Sequence, residues 1–121
     1  MIHRCNMREE IVKSIASLDG VNWCAITTGE GFIEEVSGAP SKFLEGTASL
    51  LPNTIENATS TLSNMKLGEP KIVTIVGEEG ILAIIRINGE YSLVSNMKKG
   101  ANLGLVRRKM NEGVANLIPI L

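Results

Sequence analysis

The chain has 121 residues, 44% of them hydrophobic but only 3% aromatic, with 12 basic and 13 acidic side chains and a formal charge of -1. That length fits a single domain, 1–121, and the apolar fraction excludes a disordered chain; its core must be aliphatic. The charge balance excludes the basic excess or stripe of a dedicated nucleic-acid or anionic-membrane binder and leaves little electrostatic barrier to self-association.

A first helix is expected over Met7–Leu18. Asn6 is placed to cap it, Glu9 completes a capping box, and Met7, Ile11, Ile15 and Leu18 form its apolar stripe. Asp19-Gly20 stops it. Val21–Thr27 then reads as a strand with Val21, Trp23 and Ala25 on one face and Cys24 and Ile26 on the other. Thr28–Gly31 turns the chain into a second strand, Phe32–Val36. The middle helix is the longest periodic element: Leu44, Ala48, Leu51, Ile55, Ala58, Leu62 and Met65 step by alternating fours and threes. Its remaining positions are rich in Ser, Thr and Asn and poor in charge. Pro52 either kinks this helix or breaks it and opens a second segment, and Gly68-Glu69-Pro70 closes it.

Three strands follow, Lys71–Val76, Ile81–Ile87 and Tyr91–Ser95, the last two joined through Asn88-Gly89, a strong hairpin signal. A final helix covers Ala101–Leu117, with Leu103, Val106, Met110 and Leu117 on its apolar side. Gly104 is expected to allow close backbone packing, and Gly113 to weaken the later turns. Neither Val21–Thr27 nor Ile81–Ile87 alternates cleanly between apolar and polar, which predicts a sheet covered on both faces. The expected fold is α/β in the α+β sense. It is a five-stranded antiparallel sheet with helices on both faces, ordered helix, two strands, helix, three strands, helix.

Chemistry is sparse. No Gly-x-x-x-x-Gly-Lys-Ser/Thr segment is present, so no phosphate loop is expected. His3 and Cys5 are metal ligands by type, but two candidates at one end do not make a tetrahedral site. Cys24 as a nucleophile needs a nearby base, and the single histidine lies at the terminus; a buried thiol is expected instead. Glu34 and Glu35 point to opposite faces of a strand and form no carboxylate pair. No nucleophile, base and orienting group can be assembled, so no enzyme, no metal and no cofactor is expected. Asn57-Ala58-Thr59 is a formal glycosylation sequon, expected to be idle because the chain starts without an apolar signal segment. No apolar run long enough for a membrane span occurs, and the expected location is the cytoplasm. Lys98, Lys99, Arg107 and Arg108 form a basic cluster that is either solvated surface or a contact for an acidic partner.

Several segments in this order resemble the Roadblock/dynein light chain family, including its MglB-like members. The strongest local match is Gly100-Ala101-Asn102-Leu103-Gly104-Leu105-Val106-Arg107. Gly20-Val21 leading into Cys24–Thr28 and Gly31-Phe32-Ile33 looks like the family's first hairpin, and Val73-Thr74-Ile75 followed by Gly80–Ile87 like its central meander. The resemblance implies a profilin-like sheet with the middle helix on one face and the terminal helices on the other. It also implies a homodimer joined through the middle helix and the strand after it, which acts as a platform for small Ras-like GTPases, motor proteins or scaffolds. The expected dimer interface is Ala48, Leu51, Ile55, Ala58, Leu62, Val73 and Ile75; Lys98, Lys99, Arg107 and Arg108 are the expected partner contacts. The alternative is a structural or small-molecule-sensing dimer with no GTPase partner.

Overall fold

The computed structural model describes residues 2–40 and 44–121, with side chains for 7–40, 44 and 46–121. Helix α1 (Ile2–Ala16) leads into β1 (Val21–Thr28) and β2 (Ile33–Gly38). Helices α2 (Leu44–Ala48) and α3 (Leu51–Asn64) then precede β3 (Val73–Val76), β4 (Gly80–Arg86) and β5 (Tyr91–Lys98). Helix α4 (Leu103–Leu117) ends in a 3-10 turn at Ile118–Ile120. All strand pairs are antiparallel in one five-stranded sheet of order β2-β1-β5-β4-β3. The expected element order and sheet are therefore found.

Each face of the sheet carries its own core. On one face, Val12 and Ile15 of α1 and Val106, Met110 and Leu117 of α4 bury Cys24, Ile26, Ala83, Ile85, Leu93 and Met97. On the other, Leu44, Ala48 and Leu51 cover Trp23, Ala25, Ile84 and Val94. This two-sided burial is why the central strands lack alternation.

Local departures from the sequence expectation have physical causes. Helix α1 starts at Ile2, so Asn6 lies inside it rather than capping it. No proline or glycine precedes Asn6, and an interior asparagine costs at most about 0.7 kcal/mol relative to alanine. Its buried residues are Val12 and Ile15, while Met7 stays exposed, because the helix lies on β1 and β2 and touches α4 only along one flank. Val21 shares a face with Cys24 rather than Trp23. The register shifts between Val21 and Trp23, which pair with the adjacent Met97 and Asn96; this bulge at Asn22 turns the first residue over. Strand β5 runs past Ser95 to Lys98, its last residues pairing with Gly80, Ile81 and Leu82.

Pro52 breaks the middle helix rather than kinking it. It sits in the first turn of α3, where a missing N–H leaves no helical bond unmade. The helix ends at Asn64, before Gly68. Leu67 N–H donates to Leu62 C=O at 2.8 Å and Lys66 N–H to Ser63 C=O at 3.0 Å. Lys66 takes the left-handed conformation at φ 59°. These bonds make a Schellman stop with lysine where glycine is usual. The β4–β5 hairpin turns on a side chain: Asn88 Oδ1 accepts from the N–H groups of Glu90 and Tyr91 at 2.8 and 2.9 Å.

The two glycines of α4 exchange their expected roles. A Cβ on Gly104 would meet only Asn102 Oδ1, at 3.7 Å, so no close packing exists there. A Cβ on Gly113 would lie 3.0 Å from Ile11 Cγ2 and 3.2 Å from Ile15 Cδ1. The close approach of α4 to α1 is at Gly113. Gly104 merely follows the cap, since Asn102 Oδ1 accepts from Leu105 N–H at 3.0 Å. The preceding Gly100 turns the chain at φ 84°, and Ala101 packs where Gly20 has no side chain: a Cβ there would stand 2.7 Å from Ala101 Cβ. The Gly100–Gly104 segment is thus a turn, a packing contact and a cap.

Candidate functional site

The two faces of the sheet are unequally finished. Helix α4 buries Val106, Met110, Gly113 and Leu117, whereas α3, of similar length, buries only Leu51. Ile55, Ala58 and Leu62 continue the same stripe but remain half-buried. At the end of α3 the apolar residues are open to solvent, Met65 at 66% and Leu67 at 64% exposure. Edge strand β3 exposes Ile75 at 46%, on the face that α3 covers, and Val76 at 68%, on the opposite face beside Ile81. Proteins usually guard such an edge with charge, proline or a covering element. Within Val73–Val76 there is neither charge nor proline.

The polar side of α3 is also cheap to dry. Thr54, Thr59 and Thr61 each donate a hydroxyl to a backbone carbonyl four residues earlier in the chain, at 3.2, 2.8 and 2.8 Å, and Asn64 does the same through its amide at 2.9 Å. Glu56 is the only charge in the helix. These donors already have partners within the chain, so covering them costs less than covering free donors or ions.

The expected interface residues divide into groups. Ala48 and Leu51 are spent on the chain's own core. Ile55 and Val73 pack partly on that core and keep some exposure, Ala58 and Leu62 are half-buried, and Ile75 is open. Met65 and Leu67 are exposed at the end of α3 and Val76 on edge strand β3, and none of the three was among the expected interface residues. The step-by-three-and-four pattern reaches Met65, but a left-handed Lys66 carrying Leu67 back beside the helix leaves no sequence signal.

Lys98, Lys99, Arg107 and Arg108 are all exposed around the β5–α4 junction. Among the described residues none of these four forms an ion pair, whereas Lys109 reaches Glu112 at 3.5 Å and Arg8 reaches Glu34 at 3.7 Å. Cys24 is fully buried, and burial pushes its thiol from an ordinary 9.0 up to about 12, which makes it a poor nucleophile. His3 and Cys5 lie outside the described side chains. Among the described residues no group of three or more metal-ligand side chains comes together, and no helix is long and apolar enough to cross a membrane.

No family model matches the chain, and no curated protein does. Solved structures do. The Roadblock/LC7 domain from Streptomyces avermitilis superposes with a TM-score of 0.82 at 12% identity, covering 92% of this chain and 94% of that one. MglB from Myxococcus xanthus gives 0.83 at 15% identity over 93% and 92% of the two chains. The gliding protein MglB from Thermus thermophilus gives 0.83 at 17% identity over 98% and 88%. Likeness over whole chains at such low identity is likeness of backbone architecture, and the chain has the Roadblock/LC7 fold.

Proposed function

We propose that this chain is a non-enzymatic homodimeric platform that binds a small Ras-like GTPase and regulates or scaffolds it. The observation that carries the reading is the unfinished side of the sheet. A bare apolar edge, β3, adjoins a helix, α3, that buries a single residue of its own chain. Pairing β3 with its copy would continue the sheet across a two-fold axis and give α3 a second helix to pack on. The resemblance through Gly100–Arg107 supports a GTPase as the partner, and the absence of a phosphate-loop sequence supports leaving nucleotide chemistry to that partner. The exposed cations Lys98, Lys99, Arg107 and Arg108, without an ion pair among the described residues, would steer an acidic surface toward the platform.

Light scattering at micromolar concentration should give about twice 13.0 kDa. Affinity capture from the native extract, read by mass spectrometry, should recover a Ras-like GTPase, and calorimetry of the isolated chain with GTP should give only heat of dilution. Hydrolysis and GDP release by the recovered partner, with and without this protein, then separate activation, exchange and scaffolding. Arg107→Glu with Arg108→Glu should weaken capture and flatten its salt dependence together. Tight GTP binding by the chain itself would overturn the division of labour. A dimer that captures no GTPase would favour the structural or small-molecule-sensing reading.

A further inference from the structure

Helix α3 separates two features that fit each other. At its start, Trp23, Leu44, Thr47, Ala48, Leu51, Leu82 and Asn96 line an apolar pocket of about 220 Å³. Its floor is a row of cross-strand partners. Trp23 pairs with Asn96, Asn96 with Leu82, and Leu82 with Ile75, so the row runs from beneath α2 to the bare edge at β3. Asn22 donates to Asn96 Oδ1 at 2.8 Å and fixes that amide at the rim. At the other end of α3, the Schellman stop holds Leu67 by a backbone bond to Leu62, with Met65 beside it, both largely in solvent. A left-handed lysine costs about 1–2 kcal/mol, so this exposed turn is built against a local penalty.

The knob cannot fill the pocket of its own chain. Leu51 at the pocket and Leu62 at the knob stand ~17 Å apart along a rigid helix. We infer that Met65 and Leu67 of one copy dock in the Trp23–Leu82 pocket of a second copy. This rests on the dimer proposed above and says which residues each copy lends the other. A two-fold axis through the middle of α3 brings both knobs to both pockets at once, because an isologous interface repeats every contact. The area demands such a contact. Pairing a four-residue strand covers only a small part of the about 800 Å² per partner that a stable interface needs, and the stripe of α3 is already half spent on its own sheet. The pocket admits an aliphatic side chain and is too small for a folded element, and its floor is continuous with the edge along which the copies would meet.

The test uses the full chain carrying Thr47→Cys and Leu67→Cys, with Cys5→Ser to remove a competing thiol. Cys24 stays, buried and unreactive. Within one chain the new cysteines are too far apart to bond, so oxidised glutathione should give a covalent dimer from the double variant and not from either single one. Independently, Leu67→Asp should raise the dimer dissociation constant at least ~100-fold by placing a carboxylate in an apolar pocket. Leu67 is exposed, so the circular dichroism of this variant should match the parent; Met65→Asp provides a second variant of the same kind. Trp23 is the only tryptophan, and its emission should shift to the red on dilution in the parent and show no concentration dependence in Leu67→Asp. A dimer by light scattering with no cross-link and an unchanged dissociation constant in both aspartate variants would overturn this inference and leave the dimer standing. A monomer at micromolar concentration would overturn both.

Discussion

Replacing Gly113 by alanine sets helix propensity against packing at one atom. By propensity alone the change should stabilise α4 by about 1 kcal/mol. The new methyl would stand 3.0 Å from Ile11 Cγ2 and 3.2 Å from Ile15 Cδ1, with Leu93 Cδ2 at 3.7 Å. Carbon atoms prefer about 3.5–4.0 Å. Ile11 is only partly buried and can move toward the open groove between α1 and α4, but Ile15 is enclosed between α1, α4 and the sheet. Overpacking of this kind costs about 1–3 kcal/mol, so the net expectation is a loss of roughly 1 kcal/mol. Gly104→Ala in the same helix has open space around it and should gain roughly 0.5 kcal/mol. Urea unfolding at 25 °C, with the slope checked for constancy, measures both. Ile15→Val removes the obstructing Cδ1, so it should cost less in the Gly113→Ala background than in the parent, by roughly 0.5–1 kcal/mol. If Gly113→Ala is as stable as the parent, or the two glycine variants shift in the same direction, α1 and α4 are not held together in the way described.

The buried Cys24 should resist alkylation in the native protein at pH 8 and react fully in urea. Because its thiol titrates near 12 when folded and near 9.0 when free, the native state holds the proton longer; stability is complete below pH 9 and falls above it, by at most ~1.4 kcal/mol per pH unit, as a urea series across pH 8–11 would record. Asn102→Ala removes the cap of α4 and should cost about 1 kcal/mol by the same melts, while Asn102→Asp should retain most of it. Lys66→Gly relieves the left-handed lysine and should raise monomer stability by roughly 1 kcal/mol in a urea melt run below the dissociation constant of the proposed dimer.

Most of the element order was legible because its punctuation is local chemistry. Asn88-Gly89 turns the chain and Pro52, in one of its two readings, opens a helix through groups within a few residues of themselves, and the two-sided burial of β1 and β4 is written in their missing alternation. Other misplacements, unlike the local ones at Asn6 and Lys66, arise where the deciding atom comes from elsewhere in the chain. Gly104 and Gly113 carry the same propensity cost, and only the arrival of Ile11 and Ile15 tells them apart. The bulge at Asn22 depends on the register of β5, and it inverted the assignment of Val21 although the pattern of β1 itself was sound. The candidate interface was half legible: the stripe along Ile55, Ala58 and Leu62 is periodic, but how much of it the chain's own sheet consumes is a question of tertiary seating. That Ala48 and Leu51 are fully spent while Leu67 is bare follows from where α3 crosses the sheet.

A helix held at one end behaves as a lever. Leu51 pins the start of α3 to the sheet, and beyond it each turn has less to hold it, until the exposed stop at Met65–Leu67. Amide exchange in the lone protomer should therefore follow a gradient, slow near Leu51 and quickening toward Asn64, without any unfolding of the sheet. In the proposed dimer a second copy would damp that motion, and the stiffness of α3 would become a function of protein concentration. A partner that reads the surface of α3 would then sense how much of this protein the cell holds as well as whether it is there.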